Sequence, residues 1–321
     1  MGTVFEIKVL KKGLSQEKAI AAIDSAFAEV ECLEKQMSEW IPDSTISLIT
    51  RYAGVRPVAV TDEIIAVVEK ALIISEQTGG EFDISFKPLG NLWDVMNRKK
   101  PPEDSQIKKI LGLVDYKNIL LDKVNKTIFL KKPGMAIGLG GIAKGYALGR
   151  AVEKITEAGI RNFIIDAGGD LYFSGNRNGK AWSCGIKDPD NTANILLRFW
   201  IKSDCAVVTS GNYERFFIFE DKKYHHIIDP RMGYPGTGVK SVTVFAKDPA
   251  LADAYATSFF LLGYDRSLKI ISKNKDLAFI MIGGDGSILK SGNISSFAGF
   301  ITLDFSLTVT GVSPFANRCT H

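Results

Sequence analysis

The chain has 321 residues, a formal net charge of +4 at pH 7 and a hydrophobic content of 45%. These values are typical of a globular protein and exclude a disordered, collagen-like or coiled-coil chain. They also argue against a dedicated nucleic-acid binder, because basic residues are interleaved with acidic ones and form no arginine-rich run.

The first part of the chain predicts one strand followed by two long helices. Residues 4–10 alternate between apolar and polar, which is typical of a strand. Ser15 is expected to cap a helix that runs to about Trp40, and Thr61 to cap a second helix that ends at Gly79-Gly80. The buried stripe expected for the first helix comprises Ile20, Ile23, Phe27, Val30, Leu33 and Met37.

The rest of the chain is rich in predicted strands. Residues 118–121 and 127–131 predict a hairpin, and a helix is expected from about Ile142 to Gly159. Further strands are predicted over residues 163–165, 171–174, 182–186, 195–201, 206–208, 216–219 and 239–246. Asp248 is expected to cap a last helix that ends at Gly263, before a hairpin whose turn is residues 283–286. Hairpins mixed with scattered helices favour one integrated α+β domain.

A glycine-rich segment, Gly138-Leu139-Gly140-Gly141-Ile142-Ala143-Lys144-Gly145-Tyr146, lies at the start of the third predicted helix. Free amides and the helix dipole at a helix N-terminus attract anions such as phosphate, and Lys144 adds a positive charge. The spacing matches neither a P-loop nor the dinucleotide-binding fingerprint. Taken alone, the segment is compatible with a phosphate-binding loop or with a plain turn before a helix.

The last predicted helix carries a candidate metal site. Asp253 and Thr257 are one helical turn apart and share a face, with Ala256 beside them. A carboxylate, a hydroxyl and a backbone carbonyl suit Mg²⁺, whose remaining ligands are waters or substrate phosphates. On spacing alone, a solvated Asp with an unrelated Thr is the alternative.

Two of the 3 histidines are adjacent, His225 and His226. Neighbouring residues of a strand point to opposite faces, so the pair is not expected to chelate one metal ion. One histidine facing a cleft can serve as a base or a phosphate donor. A packed or surface histidine is the alternative at this point.

Motifs spread over almost the whole chain resemble those of the FAD:protein FMN transferase family, also called ApbE. They occur in the family's order. The motifs are Met1-Gly2-Thr3, Asp43-Ser44-Thr45-Ile46-Ser47, Phe82-Asp83, Pro88-Leu89, Asn91-Leu92-Trp93, Leu139-Gly140-Gly141-Ile142-Ala143-Lys144-Gly145, Ala167-Gly168-Gly169-Asp170, Thr209-Ser210-Gly211-Asn212-Tyr213-Glu214-Arg215, His226-Ile227-Ile228-Asp229-Pro230 and Ala252-Asp253-Ala254.

The resemblance implies mixed or antiparallel sheets with helices around a central flavin-binding cleft. The expected flavin transferase domain is residues 1–308, followed by an unplaced C-terminal tail of residues 309–321. The implied activity cleaves FAD with Mg²⁺, attaches FMN to a Thr or Ser hydroxyl of an acceptor protein and releases AMP. Family acceptors include subunits of membrane redox complexes. Two alternatives are a Mg²⁺-dependent FAD pyrophosphatase, in which water replaces the acceptor, and a flavin-binding protein that lacks catalysis.

The resemblance also implies site residues. The metal ligands would be Gly141, Asp253, Ala256 and Thr257, the first and third through backbone carbonyls. The FAD site would include Met1, Trp40, Glu81, Phe82, Asp83, Gly138, Lys144 and Ile227. The catalytic residues would be Asp253 and His226, the latter as general base beside the FAD contact Ile227.

Among the positions that depart from the family pattern are Gly138 and Lys87. Gly138 stands where an Asp that contacts FAD precedes Leu-Gly-Gly in relatives. Lys87 stands where Gly is common. Neither change affects the expected metal ligands Asp253, Thr257 and Gly141.

The resemblance bears on localisation as well. Family members are usually exported, often as lipoproteins on the periplasmic face of the bacterial inner membrane, and their Met-Gly-Thr motif follows a leader. Here that motif begins at Met1, so we expect that a leader has been removed, with a cytoplasmic form as the alternative. The chain contains no run that approaches the roughly 20 apolar residues of a membrane-spanning helix.

Overall fold

A computed structural model describes residues 3–10 and 13–300 of the protein. Its α-helices are α1 (Gln16–Met37), α2 (Thr45–Arg51), α3 (Asp62–Gln77), α4 (Lys87–Trp93), α5 (Asp104–Leu111), α6 (Ala143–Glu157) and α7 (Pro249–Ile271). Its strands are β1 (Phe5–Val9), β2 (Val58–Ala59), β3 (Ile119–Asp122), β4 (Thr127–Leu130), β5 (Phe163–Ala167), β6 (Asp170–Ser174), β7 (Ser183–Lys187), β8 (Ile195–Ile201), β9 (Cys205–Gly211), β10 (Phe216–Phe219), β11 (Lys222–His225), β12 (Val239–Ala246), β13 (Leu277–Gly283), β14 (Ile288–Lys290) and β15 (Ala298–Phe300). These elements confirm the α+β class.

The centre of the fold is a seven-stranded sheet in the order β1-β5-β6-β9-β12-β13-β14. Every neighbouring pair in it is antiparallel. Along β13, successive residues alternate between two apolar clusters on opposite faces of the sheet, as Phe279 and Ile280 do. Burial of both faces explains why this strand is apolar throughout instead of alternating with polar residues.

The sheet lies between helices and a smaller sheet. Helices α6 and α7 pack on one face, and α1 packs on α6. The second face is covered by the sheet β15-β8-β7, where the rings of Phe199 and Phe245 have centroids 5.3 Å apart. The result is a three-layered fold, with α6 and α7 side by side against the central sheet.

A separate apolar cluster fixes the segment that follows β11. It joins α4 and α5 to that segment and consists of Leu89, Trp93, Val95, Ile107 and Ile228. Trp93 Nε1 donates to the carbonyl of Gly233 at 2.7 Å. The backbone around His226 and Ile227 is therefore held by packing on one side and by the β10–β11 hairpin on the other.

The predicted helix caps are confirmed, because the side chains of Ser15, Thr61 and Asp248 each accept a backbone N–H of the first turn. Both predicted hairpins are confirmed as well, as the pairs β3–β4 and β13–β14. Three short helices, α2, α4 and α5, and the strands β2, β11 and β15 were not predicted.

The expected buried stripe of α1 was wrong at Ile20, which is 49% exposed. The buried face is instead built on Ala19, Ala22, Ala26, Val30, Leu33 and Met37. The expected end of the last helix at Gly263 was also wrong. Gly263 leaves the helical region, with φ 70° and ψ 179°, but the helix resumes beyond this kink and continues to Ile271.

Candidate active site

The N-terminus of α6 meets the N-terminal half of α7 through a hydrogen bond. The first amides of a helix have no partner within it. Gly145 N–H is one of these, and it donates to Asp253 Oδ2 at 2.9 Å. A Cβ at Gly145 would lie 2.7 Å from Asp253 Cβ, so the absence of a side chain permits this close approach. Asp253 thus caps α6 from a distant part of the chain.

Buried charges surround this contact. Asp253 and Asp170 are 3% and 2% exposed, and Lys144 forms an ion pair with Asp170. Burial alone lowers the pKa of Lys144, but the carboxylates of Asp253, Asp170 and Glu214 outweigh it and raise that pKa. Burial raises the pKa values of Asp170 and Asp253, while the charge of Lys144 lowers them. Lys144 therefore stays protonated beside the glycine-rich loop.

Gly141, Phe82 and Thr257 converge next to this cluster. A Cβ at Gly141 would lie 3.1 Å from Phe82 Cε2 and 3.4 Å from Thr257 Oγ1, so a side chain there would fill the space between them. Thr257 Oγ1 lies 3.3 Å from the hydroxyl of Ser210 in β9. Ser210 was not among the predicted site residues. The hydroxyl of Thr257 and the carboxylate of Asp253 lie on the same helix, one turn apart.

The donor set at this point fits a small hard cation. Across residues 3–10 and 13–300, no cluster of three His, Cys, Asp or Glu side chains forms a metal-ligand set. Two side-chain oxygen donors of α7 lie here, the Asp253 carboxylate and the Thr257 hydroxyl. Gly141 and Ala256, whose carbonyls are the other expected ligands, lie beside Thr257 in space and in the chain, respectively. One carboxylate with neutral oxygens suits Mg²⁺, which keeps waters or binds substrate phosphates at its other positions.

The segment Glu81-Phe82-Asp83 is held mainly by contacts within the protein. Asp83 Oδ1 accepts Ser85 N–H at 2.7 Å, and Asp83 Oδ2 accepts Tyr116 N–H at 2.8 Å. Glu81 is completely buried as a side chain and is paired with two arginines, Arg231 and Arg266. Burial raises the pKa values of Glu81 and Asp83. These two carboxylates shape the loop that presents Phe82 to Gly141.

The adjacent histidines have different environments. His225 is buried, accepts Ile227 N–H on Nδ1 at 3.2 Å, and donates from Nε2 to the carbonyl of Gly236 at 2.9 Å. His226 Nδ1 lies 3.3 Å from the carbonyl of Arg215. A carbonyl only accepts, so this contact places the proton on Nδ1 and leaves the Nε2 lone pair of His226 free for a proton.

The charge state of His226 follows from its surroundings. Burial lowers the pKa of His226 to about 4, and the charges of Arg215 and Lys144 act in the same direction. The hydrogen bond to the Arg215 carbonyl opposes this shift. His226 is therefore neutral at pH 7.

The other expected FAD contacts lie at the edge of this region or outside it. Trp40 is 79% exposed, and Lys87 Nζ lies 4.4 Å from its ring centroid. Gly138 is joined to the Phe82 loop, because its N–H donates to the carbonyl of Ile84 at 2.8 Å. Met1 and the expected tail of residues 309–321 lie outside the described residues.

Comparisons with known proteins match most of the chain to one family. The model of the ApbE family matches residues 1–281. An FAD:protein FMN transferase of Treponema pallidum is 31% identical, and the match covers 92% of this chain and 85% of the relative. The crystal structure of the ApbE protein of Thermotoga maritima superimposes with a TM-score of 0.83 at 30% identity, covering 92% of this chain and 96% of that one.

A further solved structure shows the same fold. The flavin transferase ApbE of Vibrio cholerae has a TM-score of 0.80 at 28% identity, with 92% of this chain and 96% of that chain covered. The family match over most of the chain, together with the convergence of the glycine-rich loop, Lys144, Asp253 and Thr257, leads to one assignment: the chain belongs to the ApbE family.

Proposed function

We propose that the chain is a Mg²⁺-dependent FAD:protein FMN transferase. The observation that carries this proposal is a contact between two helices. Gly141 and Lys144 at the N-terminus of α6 lie beside Asp253 and Thr257 in the N-terminal half of α7. This arrangement combines the positive end of the α6 dipole, the positive charge of Lys144 and hard oxygen donors, which is what a pyrophosphate substrate needs. The names of the relatives and solved structures supply the substrate, FAD, and the acceptor class, a protein.

In the proposed reaction, a Ser or Thr hydroxyl oxygen of the acceptor attacks the phosphorus of the FMN half of FAD. A phosphoester bond forms to the acceptor, the bond between that phosphorus and the bridging oxygen breaks, and AMP leaves with that oxygen. Asp253, Thr257 and the carbonyls of Gly141 and Ala256 would hold Mg²⁺, which would neutralise charge on the phosphates. Lys144 contributes a further positive charge, and the dipole of α6 favours the anionic group near the N-terminus of that helix.

We assign the general-base role to His226. Its free Nε2 can accept the proton of the attacking hydroxyl, which the contact of Nδ1 with the Arg215 carbonyl supports. The negative phosphates of FAD counteract the positive charges that depress the pKa of His226, so its affinity for a proton increases when substrate is bound. His225 has both ring nitrogens engaged and serves the fold.

The test is an incubation of the protein with FAD, Mg²⁺ and a candidate acceptor domain. A flavin-fluorescent acceptor band after denaturing electrophoresis, together with equimolar AMP, supports the proposal. AMP release that is independent of any acceptor would identify the pyrophosphatase alternative. FAD binding without AMP in either reaction would identify a flavin-binding protein without catalysis. Asp253→Asn and Thr257→Ala serve as the matched inactive variants.

The acceptor and its location are part of the same proposal. We propose a subunit of a membrane redox complex as acceptor and the periplasmic face of the bacterial inner membrane as the location, on the resemblance to the family alone. None of the helices among the described residues is long and apolar enough to cross a membrane. Fractionation of the native cells with an antibody against the chain tests the location, and a flavin-fluorescent band that is lost on deletion of the gene identifies the acceptor.

A further inference from the structure

A glutamate side chain occupies the space above Gly138. A Cβ built at Gly138 would lie only 2.7 Å from Glu39 Oε2 and 3.3 Å from Lys87 Cδ. Gly138 begins the loop that leads to Gly141, and it is tied by hydrogen bonding to the loop that carries Phe82. The carboxylate of Glu39, just beyond the end of α1, is therefore built into the edge of the candidate site.

One oxygen of this carboxylate is paired and the other is not. Glu39 Oε1 accepts from Lys87 Nζ at 2.6 Å. Glu39 Oε2 is buried and has no hydrogen-bond partner among the part of the chain that the structure describes. A buried carboxylate oxygen without a donor is costly, since most buried polar atoms in folded proteins are hydrogen-bonded. This oxygen is consequently available to a donor that the protein does not itself provide.

The surroundings of Glu39 select an aromatic nucleotide as that partner. Lys87 Nζ bonds Glu39 and also lies 4.4 Å from the ring centroid of Trp40, so the ammonium group is positioned between a carboxylate and an indole. Trp40 is 79% exposed and offers an uncovered aromatic face directly next to this ion pair. A ligand with a flat ring could stack on the exposed indole of Trp40, and an N–H or O–H group beside that ring could donate to the unpaired oxygen of Glu39.

We propose that Glu39 Oε2 accepts a hydrogen bond from a hydroxyl or N–H group of FAD, with Lys87 as the residue that positions it. In this arrangement the carboxylate of Glu39, just beyond the end of α1, occupies the space of a side chain at position 138, so Gly138 is required there. The inference rests on the proposed function, which supplies FAD as the ligand.

The first test compares FAD dissociation constants, measured by flavin fluorescence without Mg²⁺, for the full chain and its variants. Glu39→Gln and Glu39→Ala are expected to weaken FAD binding about tenfold or more, the usual effect of losing a hydrogen bond to a charged group. In turnover, Glu39→Gln should raise KM for FAD with kcat little changed. Glu31→Gln, an exposed position on α1, is the control and should bind FAD like the wild type. Wild-type affinity in Glu39→Gln would overturn the inference.

The second test uses the space that the Glu39 side chain and a side chain at position 138 would both occupy. Gly138→Asp alone should weaken FAD binding, because the new side chain meets Glu39 and repels its charge. In a Glu39→Ala, Lys87→Gly background the space is open, and Gly138 has an ordinary backbone conformation that accepts a side chain. There, Gly138→Asp should restore most of the lost affinity. A triple variant that binds FAD no better than the double variant would contradict the idea that a carboxylate at position 138 can replace that of Glu39.

Two controls separate the possible failures. Unchanged thermal unfolding midpoints of Glu39→Gln and the triple variant show that altered binding is not a loss of fold. A wild-type protein that fails to bind FAD overturns the proposed function, and this inference with it. A wild-type protein that binds FAD with no effect of Glu39→Gln overturns this inference alone.

Discussion

At the level of single residues, the two histidines show how adjacent identical side chains acquire different roles. The ring of His225 packs edge-on against Phe260, with centroids 5.3 Å apart, and both of its nitrogens are engaged. His226 is only partly buried and keeps one nitrogen free of any described protein contact. The strand β11 ends between them, so the backbone turns and the two rings face different surroundings.

Replacing His226 by Gln should impair the chemical step and spare substrate binding. Loss of a general base lowers kcat by about 10²- to 10⁴-fold. The dissociation constant for FAD should change little, because the proposed role is proton transfer. Transfer rates to the acceptor and FAD titrations measure the two quantities separately. If His226→Gln kept the full transfer rate, the assignment of the base would be wrong.

The depressed pKa of His226 also makes stability depend on pH. In the unfolded chain an imidazole binds a proton near pH 6.5, whereas His226 in the folded protein does so only near pH 4. Between these values the unfolded state binds more protons, so this contribution to stability is complete above about pH 6.5 and is lost as the pH falls toward 4. His226→Gln removes the contribution.

Urea unfolding of the wild type and His226→Gln at pH 7 and pH 5 checks this dependence. The wild type should lose about 1 to 2 kcal/mol more of its free energy of unfolding between the two pH values than the variant does. His225 titrates in both proteins and cancels from the comparison. Parallel losses in the two proteins would show that the pKa of His226 is not depressed in the fold.

At the level of elements, the contact between α6 and α7 brings the candidate metal ligands to the glycine-rich loop. Gly145 and Gly149 both lie on α6 where it passes Pro249, the first residue of α7. A Cβ at Gly145 would overlap the carbonyl of Pro249, whereas a Cβ at Gly149 would lie 3.5 Å from Pro249 Cδ, an ordinary packing distance. The two glycines are therefore a matched pair with opposite expected responses to alanine.

Gly145→Ala should separate the helices and displace Asp253. Overpacking of this kind costs about 1 to 3 kcal/mol, and FMN transfer should fall because the Asp253 carboxylate moves away from the loop. Gly149→Ala should stabilise the protein by up to about 1 kcal/mol through helix propensity, with activity retained. Urea unfolding and transfer assays on both variants provide the measurements. Equal behaviour of the two alanine variants would contradict the close approach at Gly145.

The same elements show what the sequence alone could predict. The long helices α1, α3 and α7 were predicted from their polar N-caps, because a capping signal is local. The helices α2, α4 and α5 are only 7, 7 and 8 residues long, too short for a clear apolar period. The error at Ile20 arose because α1 packs closely on α6 through small alanines, and hydrophobicity alone favours the larger side chain.

The residues of the candidate site could also be predicted only in part from the sequence. Lys144, Asp253 and Thr257 belong to motifs with a recognisable chemistry. Glu39 does not, because a charged residue after a helix is most often solvated. Its position above Gly138 depends on tertiary contacts that no local pattern encodes.

At the level of the whole molecule, the site depends on segments far apart in the chain. Glu81 follows α3 and is paired with Arg266 in the second part of α7 and with Arg231 after β11. Asp253 joins α7 to α6, and Lys144 joins α6 to Asp170 at the start of β6. Each of these links has a buried carboxylate and joins segments that are distant in the chain, so together they favour a single cooperative unit.

We therefore predict one unfolding transition for the expected domain of residues 1–308. Tryptophan fluorescence, to which the buried Trp93 contributes, and far-UV circular dichroism should give the same urea midpoint. FAD without Mg²⁺, at a hundred times its dissociation constant, should stabilise the whole transition by about 2.7 kcal/mol, since it binds only the folded state. Glu39→Gln should reduce this shift at the same FAD concentration. Two separate transitions, or a shift by FAD of the transition seen by only one probe, would show that different parts of the chain fold as independent units.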